Sequence, residues 1–273
     1  MNRIMALAYI TFLNGLRRNA VWGLCVFALV FEICGVLFMD FFGRDLGRVI
    51  SDFQFTIMWV AGMIFILFYA VQAVAWDEDH RSIDSILARP ISRAEYVLGS
   101  MLGLSLLLLC FEFLLACLAM AELIWIKPVI GEVYFPVFSL SHFMVTWLAL
   151  QVLLLVHLAV VMLISSAIRG AFPVMLITLA YSLICSGLPV VRGSLKQGAA
   201  SDVPAQGLDS ILQGMGMIFP DFGVLDIKDS VLSNQSLEII MGMPVWLPFS
   251  LMLAYLALVL FLSCLIYQRR DIL

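Results

Sequence analysis

An all-α integral membrane protein with six transmembrane helices is what these 273 residues imply. An N-terminal interfacial helix and a short cytoplasmic helix between spans 2 and 3 complete the expected architecture. Three features carry this expectation. Apolar residues make up 63% of the chain and charged residues 12%, about half the charge fraction of a soluble domain. The charges bunch, leaving apolar runs long enough to cross a bilayer, and the mean hydropathy is +1.08. The basic residues then alternate in density from one connection to the next, as the positive-inside rule requires.

Taken in order, residues 2–19 form an amphipathic stretch. Ile4, Leu7, Ala8 and Phe12 recur at helical spacing, and Arg3, Arg17 and Arg18 flank them, which suits a helix lying in the membrane interface. Spans are expected at about 20–39, 55–76, 96–126, 143–168, 172–191 and 244–267, the first reaching roughly 30 Å at 1.5 Å per residue. Arg169 and Gly170 make a tight turn between the fourth and fifth spans. Pro173 stands near the start of the fifth, where its missing N–H costs least. An extracytoplasmic segment, 192–243, precedes the sixth span and contains an amphipathic pattern, Leu208, Ile211, Leu212 and Met215, that predicts a short helix. The chain reads as a single transmembrane domain over 1–273.

Orientation follows from arginine. Arg3, Arg17, Arg18, Arg81, Arg89, Arg93, Arg169, Arg269 and Arg270 fall on one side. Arg44, Arg48, Lys127, Arg192, Lys196 and Lys228 are spread thinly over the other. The denser side is expected to be cytoplasmic, with both termini inside and the chain multi-pass in a cell (inner) membrane. Only three lysines occur and no basic stripe forms, so nucleic acid is excluded as a partner. The six cysteines sit inside apolar runs without metal-ligand spacing, and no metal site is expected.

The most informative stretch is 77–93, DEDHRSIDSILARPISR. Ile83, Ile86 and Leu87 share one face of a short helix that Pro90 must end. Ser92 with Glu95 three residues on is a capping box that opens the third span, and Ile91 and Tyr96 stand where a hydrophobic staple would form. Apolar and charged side chains are thus presented together just below the bilayer.

This segment resembles the first cytoplasmic loop of type-2 ATP-binding-cassette (ABC) permeases: an acidic start, a small or hydroxyl residue, aliphatics, then Arg-Pro-aliphatic-Ser-Arg and a glycine. Asp77, Ser82, Ile86, Leu87, Arg89, Pro90, Ile91, Ser92, Arg93 and Gly99 stand at those positions. Arg81 and Ser100 depart from the pattern, standing where glycine and lysine are common. Leu16-Arg17-Arg18, Arg269-Arg270-Asp271 and the six-span layout extend the likeness along the chain. The resemblance implies a coupling element, Ser82, Ile83, Ile86, Leu87, Arg89, Pro90, Ser92 and Arg93, that docks on a separate ABC ATPase subunit. It implies a second permease chain, in a homo- or heterodimer, and ATP with Mg2+ held by the ATPase. No lysine follows a glycine in this chain, so it supplies no P-loop and no catalytic residue of its own.

Glu32, Glu112 and His157 fall inside expected spans. A charge at mid-membrane costs roughly 2.5–3.5 kcal/mol on insertion scales, so each should face protein or water. They are candidates for a polar translocation path, or else for hydrogen-bonded groups between helices. The Gly99–Gly103 spacing suits close helix packing. Three functions stay open at this point: an ATP-driven exporter subunit, an ABC-type assembly factor that passes ATPase motion to a periplasmic partner in metalloenzyme maturation, and an ion-coupled carrier using Glu112 and His157. The first is expected.

The topology is testable by single cysteines introduced at Ser82 and Ser201 in a cysteine-free background. Membrane-impermeant maleimide should label Ser201→Cys from outside and Ser82→Cys only after permeabilisation. Labelling of both from outside overturns the arrangement.

Overall fold

The computed structural model describes residues 3–37, 46–79, 92–130, 138–198, 214–216, 219–233 and 235–269, and these contain no β-strand. The helices are α1 (Arg3–Leu16), α2 (Asn19–Leu37), α3 (Leu46–Ile64), α4 (Val71–Asp79), α5 (Arg93–Ile130), α6 (Leu140–Ala167), α7 (Ala171–Gly198), α8 (Leu237–Met241) and α9 (Trp246–Arg269). Between α3 and α4 the chain stays helical but widens into a π-helical turn, Phe65–Ala70. Five helical runs are long and apolar enough to cross a membrane; α1 and α2 meet that test together, as a pair bent by 62°. The amphipathic helix expected at 208–215 and the short helix expected at 83–89 lie outside the described residues, apart from a helical stretch at 214–216.

Local chemistry sets the ends of these elements. Ser92 and Glu95 form the expected capping box: the Glu95 N–H donates to Ser92 Oγ at 3.2 Å, and the Ser92 N–H donates to Glu95 Oε2 at 2.7 Å. Ser139 caps α6 by accepting from the His142 N–H. Gly170 takes φ +98° between α6 and α7, a left-handed conformation that a side chain would strain. The helix that carries the second expected span, 55–76, starts at Leu46, and Ser51 and Gln54 near its start turn inward and are buried. Hydropathy marks contact with lipid; this helix continues past that limit on polar groups facing protein.

α6 is the axis of the bundle. Val156 through Met162 are buried without a break, so the helix is covered on every side. α3, α5, α7 and α9 pack on it. α2 and α9 turn apolar faces outward, including Phe27 and Phe31 on α2 and Leu251, Leu258 and Phe261 on α9. Cys25 and Cys185 are buried as expected of small hydrophobes, whereas Cys110 and Cys117 lie on the apolar exterior.

The segment before the last span is more ordered than its polarity suggests. Residues 219–233 form a strap with two 3-10 turns, Phe222–Leu225 and Lys228–Leu232. Phe222, Leu225, Ile227 and Val231 are buried. The strap is bonded to the start of α6: the Ser139 N–H donates to the Val231 carbonyl at 3.2 Å, and His142 Nδ1 lies 2.9 Å from the Ser230 carbonyl oxygen.

α1 is fixed by glycines. A Cβ on Gly103 would lie 2.7 Å from the Ala8 carbonyl oxygen and 2.6 Å from Thr11 Cβ; one on Gly99 would lie 2.7 Å from Leu7 Cδ2. The Gly99–Gly103 spacing therefore lets α1 lie directly on the backbone of α5. At the corner between α1 and α2, Trp22 Nε1 donates to the Leu16 carbonyl at 2.9 Å, satisfying an end group of α1.

Gly103→Ala should destabilise the protein by about 1–3 kcal/mol, because the obstacle is backbone and cannot rotate away. Gly23→Ala, which meets nothing within 4 Å, should change stability by no more than about 1 kcal/mol, in the stabilising direction. Thermal unfolding in detergent, read side by side, checks the contrast.

Candidate functional site

The sequence singles out two sets of residues, an interior polar set and the coupling segment, and the fold treats them differently. Glu32 on α2 and Glu112 on α5 are completely buried, and among the described residues neither carboxyl has a hydrogen-bond partner. Glu112 points at the seam between α3 and α6: a Cβ on Gly62 would come within 2.8 Å of Glu112 Oε1 and 2.5 Å of Leu154 Cδ1. Gly62 thus makes the space that the carboxyl occupies.

Glu32 lies within electrostatic range of Glu112 and also of Glu122, a third acid on α5. Gln54 Nε2 on α3 donates to Glu122 Oε2, while its own Oε1 is buried without a partner. α2, α3 and α5 thus bring two buried carboxyls, a buried amide and the part-buried Glu122 into one region. Glu122 and Gln54 were not singled out by sequence reasoning, although a signal existed. Glu112, Leu115, Ala119 and Glu122 follow an i, i+3, i+7, i+10 stripe, and Leu115 and Ala119 are fully buried.

This arrangement can neutralise or hold positive charge within an apolar bundle. An ionised carboxylate at mid-membrane costs roughly 2.5–3.5 kcal/mol. Glu32 and Glu112 therefore each carry a proton or meet a partner that the described residues do not supply. No group of three or more His, Cys, Asp or Glu among those residues is placed to hold a metal ion.

His157 is also completely buried, but it is not bonded to the acids. Its Nδ1 lies 2.8 Å from the Leu153 carbonyl oxygen, one turn back on α6, and its Nε2 has no partner. Three rings enclose it: Trp59 at 5.2 Å, Phe222 of the strap at 5.0 Å and Tyr181 at 5.8 Å. The Tyr181 hydroxyl donates to that of Tyr255 at 3.3 Å, linking α7 to α9. His157 and Glu112 share the α3–α6 seam, through Trp59 for one and Gly62 for the other, without a hydrogen bond between them.

Of the residues expected to form the coupling element, Ser92 and Arg93 are described; Ser82, Ile83, Ile86, Leu87, Arg89 and Pro90 lie outside the described residues, as does Ile91. Arg93 Nη1 donates to the Gln268 carbonyl at 3.1 Å, and Tyr96 stacks on Tyr267 at 5.8 Å. Leu7, Tyr96, Val97 and Tyr267 form a separate small core. The start of α5, the end of α9 and α1 therefore meet in one joint, immediately after the segment 80–91.

A family model described as "ABC-2 family transporter protein" matches residues 5–272. No curated protein matches the chain.

Gly62→Ala should push Leu154 and the Glu112 carboxyl out of the seam, lowering stability by about 1–3 kcal/mol. Pairing it with Glu112→Ala, which vacates the space beside Oε1, should recover part of that loss. A double-mutant cycle on thermal unfolding measures the recovery; strict additivity would show that the carboxyl does not fill the space above Gly62.

Proposed function

The chain belongs to the ABC-2 family of transporter proteins, and from that premise we propose that it is one permease half of an ATP-driven exporter, moved by a separate ATPase that grips residues 82–93. ATP and Mg2+ are held by that ATPase, and a second permease chain, the same or different, completes the pathway. The chain itself is a multi-pass membrane component and performs no hydrolysis in this reading.

One observation carries the proposal: the joint that receives the segment 80–91. The Ser92–Glu95 cap, the Arg93–Gln268 bond and the Tyr96–Tyr267 stack fasten the start of α5 to the end of α9. A load applied to 82–91 would reach two helices at once through rigid hydrogen-bonded contacts. On the other side of the segment, α4 leads back through the π-helical turn to α3 and Gly62, beside Glu112. π-Helical turns occur frequently at functional sites, and this one lies between the proposed docking element and the buried acids.

The same joint supports cytoplasmic termini. The end of α9 lies beside the start of α5, so these two helix ends share one face of the bundle. The arginine distribution assigns that face to the cytoplasm. In this reading Glu32, Glu112 and His157 line the interior that opens and closes, with α1 braced along the start of α5. Arg93, being bonded to α9, serves the joint as an anchor.

Ile86→Asp tests the docking element directly. Burial of one large aliphatic side chain contributes roughly 1.5–3 kcal/mol, so the variant should lose about ten- to a hundredfold in affinity for the ATPase encoded with it. Membrane insertion should be intact, and ATP hydrolysis in reconstituted vesicles should no longer drive transport. Co-purification and coupling equal to the parent chain would remove 82–93 as the coupling element.

A further inference from the structure

On the side of the bundle remote from the chain ends, a cavity of about 330 Å3 opens between the start of α3, the start of α6, the end of α7 and the strap. Its walls are chiefly apolar and aromatic: Phe55 and Trp59 from α3, Leu150 and Leu153 from α6, and Phe222 from the strap. Two of the hydroxyls in the wall are already committed as donors. Thr56 Oγ1 donates to the Asp52 carbonyl at 2.6 Å and Thr146 Oγ1 to the His142 carbonyl at 2.8 Å. Ser186 adds a third hydroxyl. A body rich in hydrogen-bonding groups would therefore leave most of them unmatched here, whereas a hydrocarbon would not.

The cavity is braced rather than incidental. A Cβ on Gly223 would lie 2.8 Å from Pro189 Cβ, so the strap backbone rests directly on α7. Thr146 Oγ1 also lies 3.4 Å from the Ile227 carbonyl oxygen, and Ser230 is bonded to His142, so the strap is held on α6 as well. Its size falls at the small end of the range for small-molecule pockets, which suits one chain rather than two.

Charge is confined to one part of the lining. Lys228 Nζ and Asp226 Oδ2 stand 3.6 Å apart, with side-chain exposures of 37% and 54%. An exposed pair at that separation contributes about 0–1 kcal/mol, so it opens at little cost. A head bearing a single charge would leave one of the two residues unpaired; a head bearing both signs pairs both.

We propose that this cavity binds the hydrocarbon chain of a single-chain zwitterionic amphiphile, a lysophospholipid-type molecule, with its phosphate at Lys228 and its ammonium at Asp226. The site lies within one permease chain and away from the docking segment. Binding there requires no ATPase, so its failure and the failure of the transport reading are separate results.

The test uses the full-length protein in phosphatidylglycerol nanodiscs and a lysophosphatidylethanolamine carrying a diazirine on its acyl chain. After illumination, mass spectrometry maps the adducts. They should concentrate on 55–59, 150–153 and 222–227 and be competed by unmodified lysophosphatidylethanolamine. Leu150→Trp, which fills the cavity, should reduce them about tenfold, while adducts on the outward face of α9 at Leu251, Leu258 and Phe261 stay unchanged and report intact insertion. Leu153→Phe is a second filling variant in case the first does not insert. Lys228→Glu, at an exposed position, should reduce cavity labelling about threefold, and a diazirine fatty acid of the same chain length should label the cavity less than the zwitterion does. Cavity adducts no denser than those on α9, labelling that survives both filled variants, or equal labelling by the fatty acid would each overturn the proposal.

Discussion

Lipid cannot hydrogen-bond, and α6 carries more polar side chains than lipid would tolerate. Thr146, Gln151, His157, Ser165 and Ser166 lie buried along one helix. Each must face protein or bond to its own backbone. Both solutions are used. Thr146 and Ser166 donate to carbonyls of the preceding turn, as Ser105 and Thr178 do elsewhere in the bundle. Gln151 and His157, which a backbone bond cannot fully satisfy, are covered by neighbouring elements. The bundle is arranged as the cover for this helix, with α3, α5, α7 and α9 around it and the strap over its start. α9 and α2 are left with outward apolar faces whose side chains need no hydrogen-bond partner.

How much of this was legible in the sequence depends on which physical signal each feature leaves. Hydropathy reports where side chains meet lipid, so the apolar runs were readable and the existence of the helices followed. Helix length was less readable, because α3 begins at Leu46 and runs over inward-facing Ser51 and Gln54, which hydropathy counts against a span. The Ser92–Glu95 cap was readable because it is local, three residues apart and chemically specific. The Gly99–Gly103 spacing announced a close approach but carried no information about which helix approaches; only the fold identifies α1.

The interior set was legible in part. Buried acids in apolar runs are conspicuous, and Glu32, Glu112 and His157 stood out for that reason. Their grouping was not readable, since it depends on how three helices meet. The fold places Glu32 with Glu112 and Glu122 and leaves His157 in an aromatic enclosure of its own. The strap left the faintest trace. Its 3-10 turns are short, with no sustained period, and its buried Phe222, Leu225, Ile227 and Val231 are scattered through a polar stretch. Its order comes from contacts with α6 and α7, which no local reading can supply.

The π-helical turn at Phe65–Ala70 has a consequence for chain length. Such a turn accommodates one residue beyond what an α-helix of the same rise requires. The wider turn absorbs the surplus, which in a plain α-helix would rotate everything after it by about 100°, the angle per residue at 3.6 residues per turn. Phe65, Ile66 and Ala70 are fully buried on one side of that offset, and Val71 follows inward on the other. A chain lacking one residue within 65–70 would revert to plain α-helix there and still present the same faces before and after. Elsewhere in the second span a one-residue gap would turn a buried face toward lipid. Homologous chains aligned to this one should therefore concentrate their single-residue gaps for that span in this one turn.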